Sequence, residues 1–308
     1  MNDNLVILHG GGPTAVINAS LYGAIREAQE NAQVDQIYAA IGGTGGLLKE
    51  RLRDVSRLSP EALQGLLQSP ASAIGTSRDA IEQADYENMV PILKKYGIRY
   101  VLMNGGNGTM DTCGKLQRRC AGTDIRIIGI PKTIDNDLAI TDHAPGFGSA
   151  ARYIAASVAE VCCDVASLPI HIAVVEAMGR NAGWITAASA LASESYGEGP
   201  DLIYLPERDF DEEAFLSDVK KLIDQKGCGV VVASEGLHGR EGRPIVPPIF
   251  TVGRATYFGD VSAYLAQLII KRLGYKARSE KPGICGRASI AFQSDTDREE
   301  AILAGREA

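Results

Sequence analysis

The segment Pro131-Lys132-Thr133-Ile134-Asp135-Asn136-Asp137 packs two carboxylates, an ammonium and a hydroxyl into one short stretch. In an extended segment Asp135 and Asp137 point the same way, and paired carboxylates suit proton removal from an alcohol together with magnesium binding. By itself the segment reads first as a turn rich in aspartate. Its neighbours in the sequence change that reading. His9-Gly10-Gly11-Gly12-Pro13-Thr14 follows a strand-like run and opens a helical one, and Asn104-Gly105-Gly106-Asn107-Gly108-Thr109 repeats the arrangement. Glycines let backbone amides approach an anion, and a helix N-terminus adds partial positive charge. A single glycine turn has a steric explanation. Two of them beside paired aspartates suit phosphoryl transfer, which depends on positioning and charge neutralisation. Arg78, in Ile74-Gly75-Thr76-Ser77-Arg78, is either a bidentate phosphate contact or a surface arginine.

A further strand end opens into a helix at Glu176-Ala177-Met178-Gly179-Arg180-Asn181-Ala182-Gly183-Trp184. There Asn181 is a candidate cap, and Arg180 stands where it can stabilise charge on a transferred phosphoryl group; otherwise Arg180 is a surface charge and Trp184 core. Between Lys271 and Arg287 lie Lys271, Arg272, Lys276, Arg278, Lys281 and Arg287 against the lone acid Glu280, in a chain whose net charge is −7. This run is a place to hold a sugar phosphate, or a solvated face. The histidines (His9, His143, His171, His238) share no triad or metal spacing and read as structural.

These residues need a frame. Strand-like runs at Leu5 to His9, Gln36 to Ile41, Tyr100 to Met103, Arg126 to Ile130, His171 to Glu176, Asp201 to Leu205 and Gly229 to Ser234 alternate with helical stretches. Such alternation predicts an α/β fold of mostly parallel sheets, doubly wound with helices on both faces, whose ligands sit beyond the carboxyl ends of the strands. Phe147, Ala151, Ile154, Val158 and Val161 fall at helical spacing, leaving Arg152 and Glu160 outside. The Pro145-Gly146 turn before them is a candidate domain crossing. Asp297 to Ala308 reads as a helix without a glycine or proline terminator, which leaves open that the chain is a fragment.

At 308 residues and 45% hydrophobic content, the chain can bury a large core as one big domain or two medium ones. The scattered cysteines (Cys113, Cys120, Cys162, Cys163, Cys228, Cys285) make no zinc pattern and are expected as buried reduced thiols. The acidic balance argues against a nucleic-acid partner. No membrane span or signal-peptide layout appears, so the expectation is a cytoplasmic protein with no membrane partner.

In this order the motifs resemble the phosphofructokinase family, from Leu5 to the end of the chain. The string Gly129-Ile-Pro-Lys-Thr-Ile-Asp-Asn-Asp137, then Thr141-Asp-His-Ala-Pro-Gly-Phe-Gly-Ser-Ala150, then Glu176 to Trp184, carries the resemblance. It implies phosphoryl transfer to the 1-hydroxyl of fructose 6-phosphate with magnesium, in two similar domains around a cleft. The expected bounds are 1–145 with 288–308 for the phosphoryl donor and 146–287 for the sugar phosphate. Matched by position, Asp135 is the base, Arg180 and Thr133 stabilise the transition state, and Lys132 neutralises the leaving phosphate. The donor contacts are Gly11, Arg78, Gly106, Asn107, Gly108 and Thr109. The sugar phosphate falls to Thr133, Asp135, Asp137, Met178, Gly179, Arg180, Glu235, Arg278 and Arg287, with Asn107 and Asp137 toward the metal. A site shared between subunits implies a homodimer or homotetramer.

The chain departs from the family pattern in three places. Asn107 stands where the family has a magnesium-associated aspartate, Ile284 where many members have a substrate-binding histidine, and His171 where an arginine often crosses between subunits. On the donor, two residues pull apart. Lys132 resembles the pyrophosphate-dependent branch, whereas Gly108 leaves open the room that an aspartate there would deny to the α-phosphate of ATP. The expectation leans slightly to ATP, with pyrophosphate as the alternative. A nicotinamide or lipid kinase, and a regulatory or binding subunit without metal capacity, are the competing readings from other classes.

Overall fold

In the computed structural model, which describes residues 3–252 and 255–308, the alternating apolar runs become parallel strands. The chain divides into two compact units, Met1–Ser149 with Arg287–Ala308, and Ala150–Gly286. The first change of unit falls inside the helix that follows the Pro145-Gly146 turn. Arg287 belongs to the first unit.

In the first unit β1 (Asp3–His9), β2 (Val34–Ala40), β3 (Leu52–Asp54), β4 (Ile98–Gly105) and β5 (Arg126–Pro131) form one sheet in the order β3-β2-β1-β4-β5. Only the β2–β3 pair is antiparallel. Between the strands run α1 (Ile17–Glu30), α2 (Gly43–Leu48), α3 (Pro60–Leu66), α4 (Gln83–Lys95) and α5 (Asn107–Arg119). Along β1, Leu5 and Ile7 join a core with Leu21 and Ile25 of α1, while Val6 and Leu8 join another with Met89 and Leu93 of α4 and Leu116 of α5. That alternation is the two-residue period of a strand covered by helices on both faces.

The long α6 (Phe147–Ser167) leads into the second unit, with β6 (Ile172–Ala177), α7 (Trp184–Ala188), α8 (Leu191–Tyr196), β7 (Leu202–Tyr204), α9 (Glu212–Lys226) and β8 (Gly229–Ser234). Then come β9 (Pro248–Val252), β10 (Ala255–Phe258), α10 (Val261–Leu273), β11 (Ala277–Glu280) and α11 (Ile284–Ala288). Its sheet runs β11-β6-β8-β7, parallel throughout, and the two central strands β6 and β8 are buried along their whole length. Phe215 and Val219 of α9 and Leu265 and Ile269 of α10 complete a core with Ile172, Val174 and Val231. β9 and β10 pair only with each other, as an antiparallel hairpin.

The last element, α12 (Asp295–Glu307), lies against α1 in the first unit. The two helices cross closely: a Cβ on Gly23 would stand 2.1 Å from the Ile302 carbonyl, and one on Gly305 2.0 Å from that of Ser20. At the N-terminus of α12, the buried Asp297 accepts hydrogen bonds from Gly146 N (2.7 Å), Ser149 N (2.9 Å) and Ser149 Oγ (2.5 Å). The two backbone donors are amides that the start of a helix cannot satisfy internally, and the Ser149 hydroxyl adds a third bond, so Asp297 closes the start of α6.

Several expectations change. On α6, Ala151, Ile154 and Val158 are buried and Arg152 and Glu160 exposed, but Val161 is only half-buried. Cys113, Cys120 and Cys162 are buried, with burial pushing the Cys113 and Cys162 thiols up to about 12, while Cys163 and Cys285 are exposed. The strands β3 and β11 and the β9–β10 hairpin lie outside the expected strand-like runs, β3 being short and β11 polar. Among the described residues no helix is long and apolar enough to cross a membrane.

Candidate active site

In the first unit, the glycine loops and the aspartate segment leave neighbouring strands at the same sheet edge. β1 ends at His9, β4 at Gly105 and β5 at Pro131, and their order β1-β4-β5 sets the three loops side by side. Backbone bonds fix them: Gly10 N donates to Asn104 O (2.8 Å) and Lys132 N to Gly105 O (3.1 Å). The 72–78 segment is joined from the other side, with Gly11 N donating to Ser77 O (3.0 Å) and Thr76 Oγ1 to Gly11 O (2.7 Å). Gly11 has φ +77°, a left-handed conformation that L side chains rarely adopt, so glycine is required for this loop shape. The buried Thr109 fills the space beside Gly10 and Gly105, whose Cβ atoms would stand 2.3 and 2.1 Å from its Oγ1. Gly106 is the N-cap of α5, so Asn107 and Gly108 occupy its first turn, the positive end of the helix dipole. Beyond its own helical turn, no atom lies within 4 Å of a Cβ placed on Gly108.

Lys132 is the central charge of this group. It is only 3% exposed, and its Nζ donates to Gly12 O at 2.6 Å. Arg78 and Arg287 flank the same glycine: a Cβ on Gly12 would meet their guanidinium nitrogens at 3.2 and 3.3 Å. Burial, then the charges of Arg78 and Arg287, lower the Lys132 ammonium to about 8, and Asp135 opposes the shift. Cations crowd at the loop where an anion would be received.

The aspartate segment is not extended. Beyond Pro131 the chain bends, and Asn136 takes φ +53°, held by Ala144 N donating to its Oδ1 (2.9 Å) and its Nδ2 donating to Asp142 O (3.2 Å). The expectation that Asp135 and Asp137 share a direction by strand alternation is therefore corrected. Asp135 N instead donates to Thr133 Oγ1 (3.1 Å), and Thr133 is tied to the following loop by its N–H to Pro145 O (3.1 Å). Asp137 meets Asn107, whose Nδ2 donates to its Oδ2 at 2.9 Å. An aspartate at 107 would face that carboxylate with like charge, and the amide removes the repulsion. Asp137 and the Asn107 carbonyl are hard oxygen donors that fit magnesium, which uses one or two carboxylates and takes its other ligands from phosphates and water. Among the described residues the clustered His and carboxylate ligands lie elsewhere, at His143, Asp297 and Glu300, and Asp297 is already engaged at α6.

In the second unit the Met178-Gly179-Arg180 turn after β6 locks onto the end of β8. Gly179 N donates to Glu235 Oε1 (3.2 Å), Ser234 Oγ donates to Gly179 O (2.8 Å), and Glu235 N donates to Ala177 O (2.9 Å). The expected Asn181 cap is absent: the N-cap of α7 is Gly183, whose N–H goes to Glu207 Oε1 at 2.6 Å. Trp184 is 55% exposed and not core. Within the second unit the cations of 271–281 do not act as one patch: Arg272 pairs with Glu213 (2.8 Å) and Lys281 with the buried Glu176 (2.6 Å). Arg278 is exposed on β11, in a groove with Gln267 and Ile270 of α10. His171 accepts from Lys276 N (3.0 Å), and Ile284 is exposed.

The phosphofructokinase sequence profile matches residues 4–308. The chain belongs to the phosphofructokinase family. The pyrophosphate–fructose 6-phosphate 1-phosphotransferase of Xanthomonas campestris pv. campestris is 40% identical, over 100% of this chain and 76% of that one. That of Rhodospirillum rubrum is 38% identical, over 99% and 78%. The crystal structure of a pyrophosphate-dependent phosphofructokinase from Nitrosospira multiformis superposes with a TM-score of 0.88 at 36% identity, covering 99% of this chain and 75% of that one.

As a phosphofructokinase-family protein the chain carries supporting residues that its motifs did not reveal. His9 is fully buried, and burial, then the Lys132 charge, hold its imidazole down to about 3, so it stays neutral. Ser72 Oγ donates to Gly75 O (2.9 Å), so the 2.7 Å contact to His9 Nδ1 has the imidazole as donor. Its place directly before the glycine run was the available signal. Asp297 left none, since its partners Gly146 and Ser149 are about 150 residues away in the sequence.

Proposed function

We propose that this chain transfers a phosphoryl group from pyrophosphate to the 1-hydroxyl of fructose 6-phosphate, giving fructose 1,6-bisphosphate. The observation that carries the donor is Lys132, buried at the Gly11-Gly12 loop between Arg78 and Arg287. A compact polyanion matches three converging cations, and Lys132 neutralises the phosphate that leaves. The relatives named for pyrophosphate support this alternative over the slight lean toward ATP that Gly108 suggested. Arg287 stands with Arg78 beside Gly12, so its charge is assigned to the donor end, and the 6-phosphate is left to Arg278.

In this reading Gly11, Arg78, Gly106, Asn107, Gly108 and Thr109 receive the donor, and Met178, Gly179 and Glu235 the sugar. Asp135 takes the proton of the 1-hydroxyl, while Thr133 and Arg180 stabilise charge on the transferred group. Magnesium, when bound toward Asp137 and Asn107, supplies further neutralisation of phosphate charge. The reading includes a homo-oligomer and a cytoplasmic enzyme.

A coupled assay with fructose 6-phosphate and magnesium tests it, with pyrophosphate and ATP as separate donors. Turnover with pyrophosphate is expected. Turnover with ATP alone would reverse the donor assignment, and fructose 6-phosphate binding without transfer from either donor would make the chain a binding subunit.

A further inference from the structure

The β9–β10 hairpin belongs to neither main sheet, and a lone two-stranded hairpin is only marginally stable in water. Yet it touches one of the residues assigned to chemistry. The Arg180 guanidinium lies over the Phe258 ring, its Cζ 4.4 Å from the centroid, and its Nη2 donates to Thr256 O at 3.2 Å. Both partners are on β10. On the same hairpin Phe250 and Tyr257 stack at 4.5 Å, rigidifying the pair of strands.

The Arg180 backbone is fixed independently. Gly179, at φ +112°, is held by Glu235 and Ser234, and a Cβ on Gly236 would stand 1.7 Å from Arg180 O. β10 is tethered to the same strand end: after Gly259 and the N-cap Asp260, Ser262 N donates to Glu176 Oε2 (3.1 Å) on β6. Main chain and side chain of Arg180 are therefore gripped from two sides. An exposed arginine otherwise samples many rotamers, and a charge-stabilising group acts best when it needs no reorganisation at the moment of reaction.

We propose that the β9–β10 hairpin is a positioning device for Arg180, with Phe258 as the positioning residue. The ring face holds the guanidinium plane, Thr256 O takes one N–H, and the remaining N–H groups are presented in the fork that matches phosphate oxygens. The inference rests on the role given to Arg180 under Proposed function.

The experiment compares Phe258→Leu and Phe258→Tyr in the full chain by steady-state kinetics with pyrophosphate and fructose 6-phosphate. Alongside, the rate of phenylglyoxal modification at Arg180 is read by peptide mass. Loss of the ring face is expected to lower kcat about tenfold in the leucine variant, from the strength of a partly desolvated cation–π contact. KM for fructose 6-phosphate should hold within about twofold, since an interaction realised in the transition state is the one removed. Arg180 should be modified severalfold faster, and Phe258→Tyr should restore both readouts. Wild-type kcat and wild-type modification rate in Phe258→Leu would overturn the proposal, as would a tyrosine variant as impaired as the leucine one. If the wild-type chain transfers no phosphate, the functional reading fails, and the modification rates alone decide whether the hairpin holds Arg180.

Discussion

Lys132 makes the sharpest statement at the scale of single residues, because its environment sets both its pH behaviour and its role. Burial beside two arginines brings the ammonium to about 8, so it carries charge at neutral pH and loses it a little above. With pyrophosphate, kcat/KM, which reports the free enzyme, should therefore fall up to about tenfold per pH unit above 8. In Lys132→Met that alkaline limb should disappear and the plateau be lower; a limb that survives the substitution would assign it to another group. Stability has the opposite sign. The unfolded chain keeps this proton toward 10.5, so between about 8 and 10.5 the folded form binds fewer protons and is favoured as pH rises. An alkaline loss of activity without a fall in melting temperature is thus the expected signature. Gly108 gives a second test. Its Cβ position is open, so Gly108→Asp should fold normally, keep pyrophosphate turnover and suppress any use of ATP, on steric and like-charge grounds. Unchanged ATP kinetics in that variant would remove Gly108 from the donor argument. The residue types of this site were legible in the sequence because each motif ends a strand and the strands are neighbours. The bend at Asn136 was not, since an aspartate pair two residues apart looks the same in a strand and in a turn. The Asn107–Asp137 bond was equally hidden, since it joins separate loops.

Among elements, legibility followed burial. β1, β4, β6 and β8 are inner strands with buried apolar runs, and β5, although an edge strand, carries an apolar run of its own; the sequence shows all five within a few residues of their bounds. β11, with the sequence Ala-Arg-Ser-Glu, is an exposed edge strand without apolar alternation, and β3 is too short to carry a pattern. The hairpin carries a signal of its own in the sequence, two short runs, 248–252 and 255–258, rich in aromatic and β-branched residues. The terminal helix was legible, but its purpose came only from its contacts with α1 and α6. Its crossing with α1 depends on two glycines whose added Cβ atoms would meet backbone carbonyls rather than movable side chains. Gly305→Ala should accordingly destabilise the protein by about 2 kcal/mol or more through overpacking, seen as an earlier urea midpoint. If the midpoint is unchanged, or rises as alanine's better helix propensity alone would give, the close crossing has no energetic weight.

For the whole molecule the relevant contrast is between a net charge of −7 and a small, partly buried group of cations at the glycine loops. Mutual repulsion among Lys132, Arg78 and Arg287 is a cost carried by the folded state, and a bound polyanion relieves it. Pyrophosphate should therefore stabilise the native chain in proportion to its occupancy, by about 2.7 kcal/mol at a hundredfold excess over Kd. This should appear as a rise of several degrees in melting temperature at low ionic strength, shrinking with added salt as exposed charge is screened. Two variants separate binding from chemistry. Asp135→Asn should retain most of the shift while its turnover falls by roughly a hundredfold or more through loss of the base. Lys132→Met should melt higher than wild type without ligand, since a buried charge is gone, yet gain little on adding pyrophosphate. A full pyrophosphate shift in Lys132→Met, or none in the wild type, would mean that the cations at Gly12 do not form the donor site, whatever the assay of transfer reports.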